Sequence, residues 1–122
     1  MAVIDLMNIV DQRLEDITKQ NPSMTAKELY FEGEYGLWCL ISIVGGGGRA
    51  IEYYFIESDN SWKRADAVSD YAQAALGQVK VLVIVPDQVL VDVLFMVRDY
   101  DAQGVSVSDY SAMDLIPLPL TY

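Results

Sequence analysis

Apolar positions along the chain switch between two periods, and each switch marks a new element. Val3, Leu6, Met7, Val10, Leu14 and Ile17 recur at three- and four-residue steps, the period of a single apolar helical stripe. Asp11, Arg13, Glu15, Asp16 and Lys19 fall mainly on the other side. The pattern predicts an N-terminal helix over residues 2–19, stopped by Asn21-Pro22. Thr25 with Glu28 three residues on has the form of a capping box and predicts a short second helical turn. Residues 30–35 read as a strand ahead of two stronger ones. Of these, LWCLISIV at 37–44 is a continuous apolar run of strand length between glycines, and AIEYYFIE at 50–57 is rich in aromatic and β-branched types. The glycine run 45–48 between them reads as a hairpin connection.

Beyond Ser58-Asp59-Asn60-Ser61 the period lengthens again. Ala65, Val68, Ala72, Ala75 and Leu76 mark a helix face across 61–76, and Gly77 stands where a left-handed C-terminal residue belongs. VKVLVIV at 79–85 is almost wholly apolar, the pattern of a strand buried on both faces. Pro86-Asp87 opens a further helix with Leu90, Val93, Leu94 and Val97 as its inner face, and Gly104 precedes a short strand from Val105 to Ser108. The expected fold class is α/β: a single domain over residues 1–122, with a mixed β-sheet, an N-terminal antiparallel hairpin followed by a βαβ unit, and helices on both faces. The core is expected within 30–108. The tail 115–122 is apolar but broken by Pro117 and Pro119, so it is expected to lie extended over the domain or against a partner.

Composition narrows the function classes. Hydrophobic residues make up 52% of the chain, enough for a packed core. Eighteen acids against eight bases give a net charge of −10, which speaks against a nucleic-acid partner held by phosphate contacts and against an anionic membrane surface. The sequence contains no His, which removes His-based triads, His-ligated metals and imidazole switches. Cys39 stands alone in an apolar run, so it reads as a core thiol, and the expected setting is the cytoplasm. No basic leader precedes an apolar segment, and Lys80, Pro86, Asp87 and Asp92 interrupt the most apolar stretch, so no membrane association is expected.

Ala50-Ile51-Glu52-Tyr53-Tyr54 leads into a helix containing Tyr71. Val79-Lys80-Val81-Leu82-Val83-Ile84-Val85-Pro86 is followed by an amphipathic helix, Gly104 and a short strand. In this order residues 37–108 resemble the core of the restriction-endonuclease-like, or PD-(D/E)XK, superfamily. The resemblance implies metal-dependent phosphodiester cleavage, with an acid on one strand and Glu/Asp-x-Lys on the next holding Mg²⁺ and orienting water. Glu52 falls at the acid position, but Tyr54 holds the place of the lysine and the preceding strand carries no acid. An active site would need Lys63 or Arg64 from the following helix as replacement, and Glu32 or Glu34 as second acid. The resemblance therefore implies a divergent member with a degenerate active site.

Other motifs carry less. The glycine run 45–48 lacks the Gly-Lys-Ser/Thr ending of a P-loop. Asp99-x-Asp101-x-Gln103-Gly104 imitates a calcium loop but has Tyr110 where a bidentate Glu belongs, so it reads as a helix-to-strand turn. Asp66 and Asp70, one turn apart, read as a solvated face. The aromatic residues Tyr30, Phe31, Tyr35, Trp38, Tyr53, Tyr54, Phe55 and Trp62 concentrate in one third of the chain. Neighbours Tyr53 and Tyr54 must point to opposite faces of a strand. Tyr35, Trp38, Tyr53, Tyr54 and Trp62 are the expected interaction surface, since Tyr and Trp are favoured in interface cores.

The leading expectation is a non-enzymatic protein-interaction or regulatory module without a cofactor, working through a protein partner or self-association, with a homodimer expected. One alternative is a Mg²⁺-dependent nuclease with rearranged ligands around Glu52 and Lys63. The other is a small ligand-binding α/β domain whose site lies at the strand ends near Pro86 and Ser108.

Overall fold

The computed structural model describes residues 5–118. Helix α1 (Leu6–Gln20) starts where the Asp5 carboxylate accepts a hydrogen bond from the Asn8 N–H at 3.2 Å, and it ends at Asn21. Next come three strands, β1 (Thr25–Gly33), β2 (Gly36–Val44) and β3 (Ala50–Ile56). A 3₁₀ turn at Ser61–Lys63 leads to α2 (Ala67–Ala74), then β4 (Lys80–Val85), α3 (Leu90–Tyr100) and β5 (Val105–Asp109). The five strands form one sheet in chain order, β1-β2-β3-β4-β5. The pairs β1/β2 and β2/β3 are antiparallel, whereas β3/β4 and β4/β5 are parallel. This is the expected α/β fold with a mixed sheet.

Connectivity decides which face each helix covers. The two parallel crossovers advance in the same direction along the sheet, so a common handedness puts α2 and α3 on one face and leaves the other to α1. Alternation along each strand then sorts the side chains. Cys39, Ile41, Ile43, Tyr54, Ile56 and Ile84 pack with Leu6, Ile9, Val10 and Ile17 of α1. Phe55, Val81, Val83 and Val85 pack with Ala67, Tyr71, Val93 and Val97 of α2 and α3. The parallel strand β4 feeds both cores, as its unbroken apolar run requires, although Leu82 is only half-buried.

Several expectations are corrected. Thr25 and Glu28 do not cap a helix; they belong to β1, nine residues paired without interruption to β2 from Thr25↔Val44 to Gly33↔Gly36. The pairing surface offered by β2 outweighs a local capping signal, and Glu34-Tyr35 make the tight turn between the strands. Arg13, expected on the polar side of α1, is only 6% exposed, its guanidinium 4.6 Å from the centre of the Tyr54 ring. Met7, placed on the stripe, is 56% exposed. Leu94, assigned to the inner face of α3, is also exposed; Val93 and Val97 do the packing there. The helix expected over 61–76 is a 3₁₀ turn followed by the shorter α2.

Gly104 has φ +78, and a Cβ there would lie 3.3 Å from the Ala75 Cβ, so both backbone conformation and close packing favour glycine at the turn into β5. The segment 99–104 is the helix-to-strand turn expected, and Asp101 caps α3 in the left-handed region. The tail folds back along α1. Leu115 enters the core, the Gln12 amide exchanges hydrogen bonds with both backbone groups of Ile116 (2.8 and 2.9 Å), and the Asp5 N–H donates to the Leu118 carbonyl. Val3, with the start of the helix expected over 2–19, and residues 119–122 of the expected tail lie outside the described residues.

Candidate functional site

The residue after β3 carries a carboxylate into the interior. Glu57 is completely buried, and its backbone N–H continues the parallel ladder by donating to the Ile84 carbonyl at 2.9 Å. By strand alternation its side chain lies on the α2 face. There it accepts from the Ser61 hydroxyl (2.7 Å), from Nη1 and Nη2 of Arg64 (2.6 and 3.2 Å) and from the Tyr71 hydroxyl (2.6 Å). A buried carboxylate is tolerable only when paired and hydrogen-bonded in this way. The Ser61 hydroxyl in turn accepts from the Ser58 N–H, and the Tyr110 hydroxyl donates to the Glu57 carbonyl. Burial, then the Glu57 charge, pushes the Tyr71 hydroxyl well above its ordinary pKa, so it remains a donor.

This knot fixes a surface. Arg64, tied to Glu57 and to the Ser61 carbonyl at 2.8 Å, lies with its guanidinium 3.7 Å from the centre of the Trp38 ring. Trp38 stacks on Phe31 with centroids 4.3 Å apart and neighbours Phe55 at 6.1 Å. Phe55 meets Tyr71 edge-on at 4.9 Å. The aromatic row Phe31, Trp38, Phe55, Tyr71 therefore runs from the sheet edge to the buried carboxylate, and each ring is held by the next.

Beside this row lies an open groove of about 690 Å³, lined by residues of β1, β2, β3 and α2 together with Leu76 and Val79. It exists because α2 and α3 cover only the parallel half of the sheet. No helix of the described residues lies over the same face of β1 and β2, leaving Leu29 58% and Phe31 39% exposed, with Leu76 72% exposed beyond the end of α2. Trp38, Leu40 and Tyr53 form the floor. Asp70 is the acid in the lining; desolvation raises its carboxyl above the ordinary value, with nearby Arg64 opposing.

Of the five residues expected to form an interaction surface, Trp38 and Tyr53 meet in this groove. Tyr54 does not: it faces α1 and is buried against Arg13, its hydroxyl pKa raised by burial and then by Glu52. Tyr35 stands exposed in the β1–β2 turn. Trp62 is half-buried against the second core and donates its indole N–H to the Asp59 carbonyl. Leu40, Leu76 and Glu57 are not among the expected site residues; Phe31 enters only in the aromatic cluster, Tyr71 only in the family resemblance and Arg64 only as a stand-in for the missing lysine. Glu57 closing a run of four apolar residues was the available signal, because a strand end that apolar tends to lie inside.

Glu52 and Lys63 are not brought together. Glu52 is half-buried on the α1 face of β3, whereas Lys63 lies beyond the far end of that strand, exposed beside the Trp62 ring. The register instead sets Lys80 of β4 directly beside Glu52, with Ile43 on the other side. Among the described residues no three acidic or Cys side chains converge as a metal site would require. At the strand ends near Pro86 and Ser108 the Ser111 N–H and hydroxyl both donate to the Asp87 carboxylate, lowering its pKa, and Tyr110 is buried. Cys39 is buried and its thiol pushed up to about 12 by desolvation. No described helix is long and apolar enough to cross a membrane. No family model, curated protein or solved structure matches the chain.

Proposed function

We propose that this protein is a non-enzymatic interaction module that docks a partner protein in the groove beside β1. The observation that carries the reading is the uncovered, aromatic-floored face of β1 and β2, with Leu29, Phe31 and Leu76 in solvent. Contiguous exposed apolar surface is uncommon on isolated domains and marks contact sites. Rigidity supports it too, since the Glu57–Arg64 knot holds Trp38 in place before any partner arrives. In this reading the likeness to the restriction-endonuclease-like core is one of architecture, and the setting is the cytoplasm, where the Cys39 thiol stays reduced.

A photo-crosslinking residue at Leu29, compared with one at exposed Lys19 on α1, tests this in cells. The reading expects a protein adduct of defined mass from Leu29 alone, lost in Phe31→Asp, and saturable binding once that protein is purified. Equal adducts from both positions, or none, would overturn it. A second reading, the Mg²⁺-dependent nuclease, draws on the Glu52–Lys80 juxtaposition. Cleavage of DNA with Mg²⁺ or Mn²⁺ that disappears in Glu52→Ala would put that reading first.

A further inference from the structure

Resting on the docking reading, the geometry points to a mode and a partner chemistry: an extended, cationic segment of another protein adds to the sheet along the open edge of β1. The edge is the first ground. Among the described residues β1 occupies the end of the strand order and pairs with β2 alone, so every second residue turns its N–H and C=O outward with no described strand to receive them. Natural sheets blunt such edges with short strands, bulges, proline, charged side chains or cover, and of these β1 carries only charges, Lys27, Glu28 and Glu32. β1 is nine residues long, its register with β2 is unbroken, and it contains no proline. The opposite edge, β5, has five residues and is flanked by α3.

The groove is the second ground. A strand laid along β1 would project alternate side chains onto the face carrying Leu29 and Phe31, beside the Trp38 and Leu40 floor. Main-chain pairing and side-chain pockets would thus be used together, as in other strand-addition complexes. Charge is the third. The chain carries eighteen acids against eight bases, and the groove lining contains the acid Asp70 and no Lys or Arg. On β1 itself Lys27 is the base on the groove face, whereas Glu28 and Glu32 stand on the opposite face, where every other side chain of an added strand would lie. Two copies, each at −10, would repel, whereas a cationic partner is attracted. The proposal therefore favours a basic partner over the second copy of the chain expected from sequence.

The test uses the full chain and three synthetic nine-residue probes: alternating Val and Lys, its twin with Glu for Lys, and the Lys peptide with N-methyl groups on alternate residues. Fluorescence titration should show the Lys probe binding at least tenfold tighter than the Glu twin, with the preference shrinking as salt rises. N-methylation or Phe31→Asp should each weaken binding at least tenfold, and amide exchange along β1 should slow at least tenfold in the complex. Equal affinity for both twins, or no binding of the Lys probe at millimolar concentration, would overturn the cationic partner. Binding without slowed exchange in β1 would overturn strand addition while leaving groove docking intact. Sedimentation of the protein alone showing a dimer with β1 protected would assign the edge to a second copy and overturn the proposal.

Discussion

Replacing Glu57 with Gln removes one charge from the knot at the end of β3 and changes almost no volume. In the native protein this carboxylate accepts four hydrogen bonds, two of them from a guanidinium, at full burial. The amide keeps one acceptor oxygen but brings an NH₂ group against donors, so at least one of Ser61, Arg64 and Tyr71 loses its bond. Breaking one side of a buried ion pair costs about 3–5 kcal/mol. The Arg64 side chain is 17% exposed, which places the expected loss near the lower bound, about 3 kcal/mol. A domain of this kind is held by about 5–15 kcal/mol in total. With a urea slope of about 1–3 kcal/mol/M, the midpoint should fall by about 1–3 M at unchanged slope. Tyr71→Phe, which deletes one bond to the same carboxylate, should cost about 1.5–3 kcal/mol. The double variant Glu57→Gln/Tyr71→Phe should fall short of the sum by at least 0.5 kcal/mol, because the two changes share a partner. Urea titrations of the three variants read all of these values. A Glu57→Gln protein within about 0.5 kcal/mol of the parent would refute the claim that this pair holds the strand end together.

Ile84→Asp should unfold the domain, since an unpaired carboxylate in the middle of β4 exceeds the available stability; circular dichroism showing a native fold of unchanged stability would contradict that. Cys39, with its pKa near 12 and no exposed surface, should react with a maleimide at pH 8 at least ~10³-fold more slowly than in the urea-unfolded chain; a rate near that of free cysteine would contradict the burial. The Asp87 pKa is lowered by Ser111, so the stability it adds is complete above the unfolded value of about 3.9 and is lost as pH falls through the lower folded value. Melting temperatures should therefore separate the parent from Ser111→Ala at pH 6 and draw together as the pH falls through the lowered folded value; a gap that widens in acid would reverse the assignment.

How legible each part was in the sequence follows from how local its cause is. β4 stood out because a parallel central strand needs apolar residues of both parities, and VKVLVIV supplies them. β1 was hidden because its two faces are both partly apolar: Ala26 and Tyr30 face α1, Leu29 and Phe31 face the groove, so no period of two emerges and the Thr25/Glu28 spacing spoke for a helix. The seat of Arg13 depends on the ring of Tyr54, 41 positions away, which no local pattern encodes. Clustered aromatic residues did announce a surface. Which of them reach it was decided by strand parity and by helices that cover only half the sheet, so Tyr53 lines the groove while its neighbour Tyr54 is buried. The knot of Glu57, Arg64 and Tyr71 joins three elements and becomes visible only when they are placed together.

The docking claim is tested most directly by titrating the purified crosslinked partner against two variants, each placing a charge at an exposed apolar residue: Phe31→Asp in the groove and Met7→Asp on α1. Met7→Asp should melt with the parent protein, and Phe31→Asp should stay folded but lose the Trp38 stack, about 0.5–1.5 kcal/mol. The account predicts that Phe31→Asp weakens binding about 100-fold, about 2.7 kcal/mol, because it puts a charge against the Trp38 ring, while Met7→Asp stays within about threefold of the parent. Loss of binding in Met7→Asp, with Phe31→Asp unaffected, would contradict it and move the partner to the α1 face.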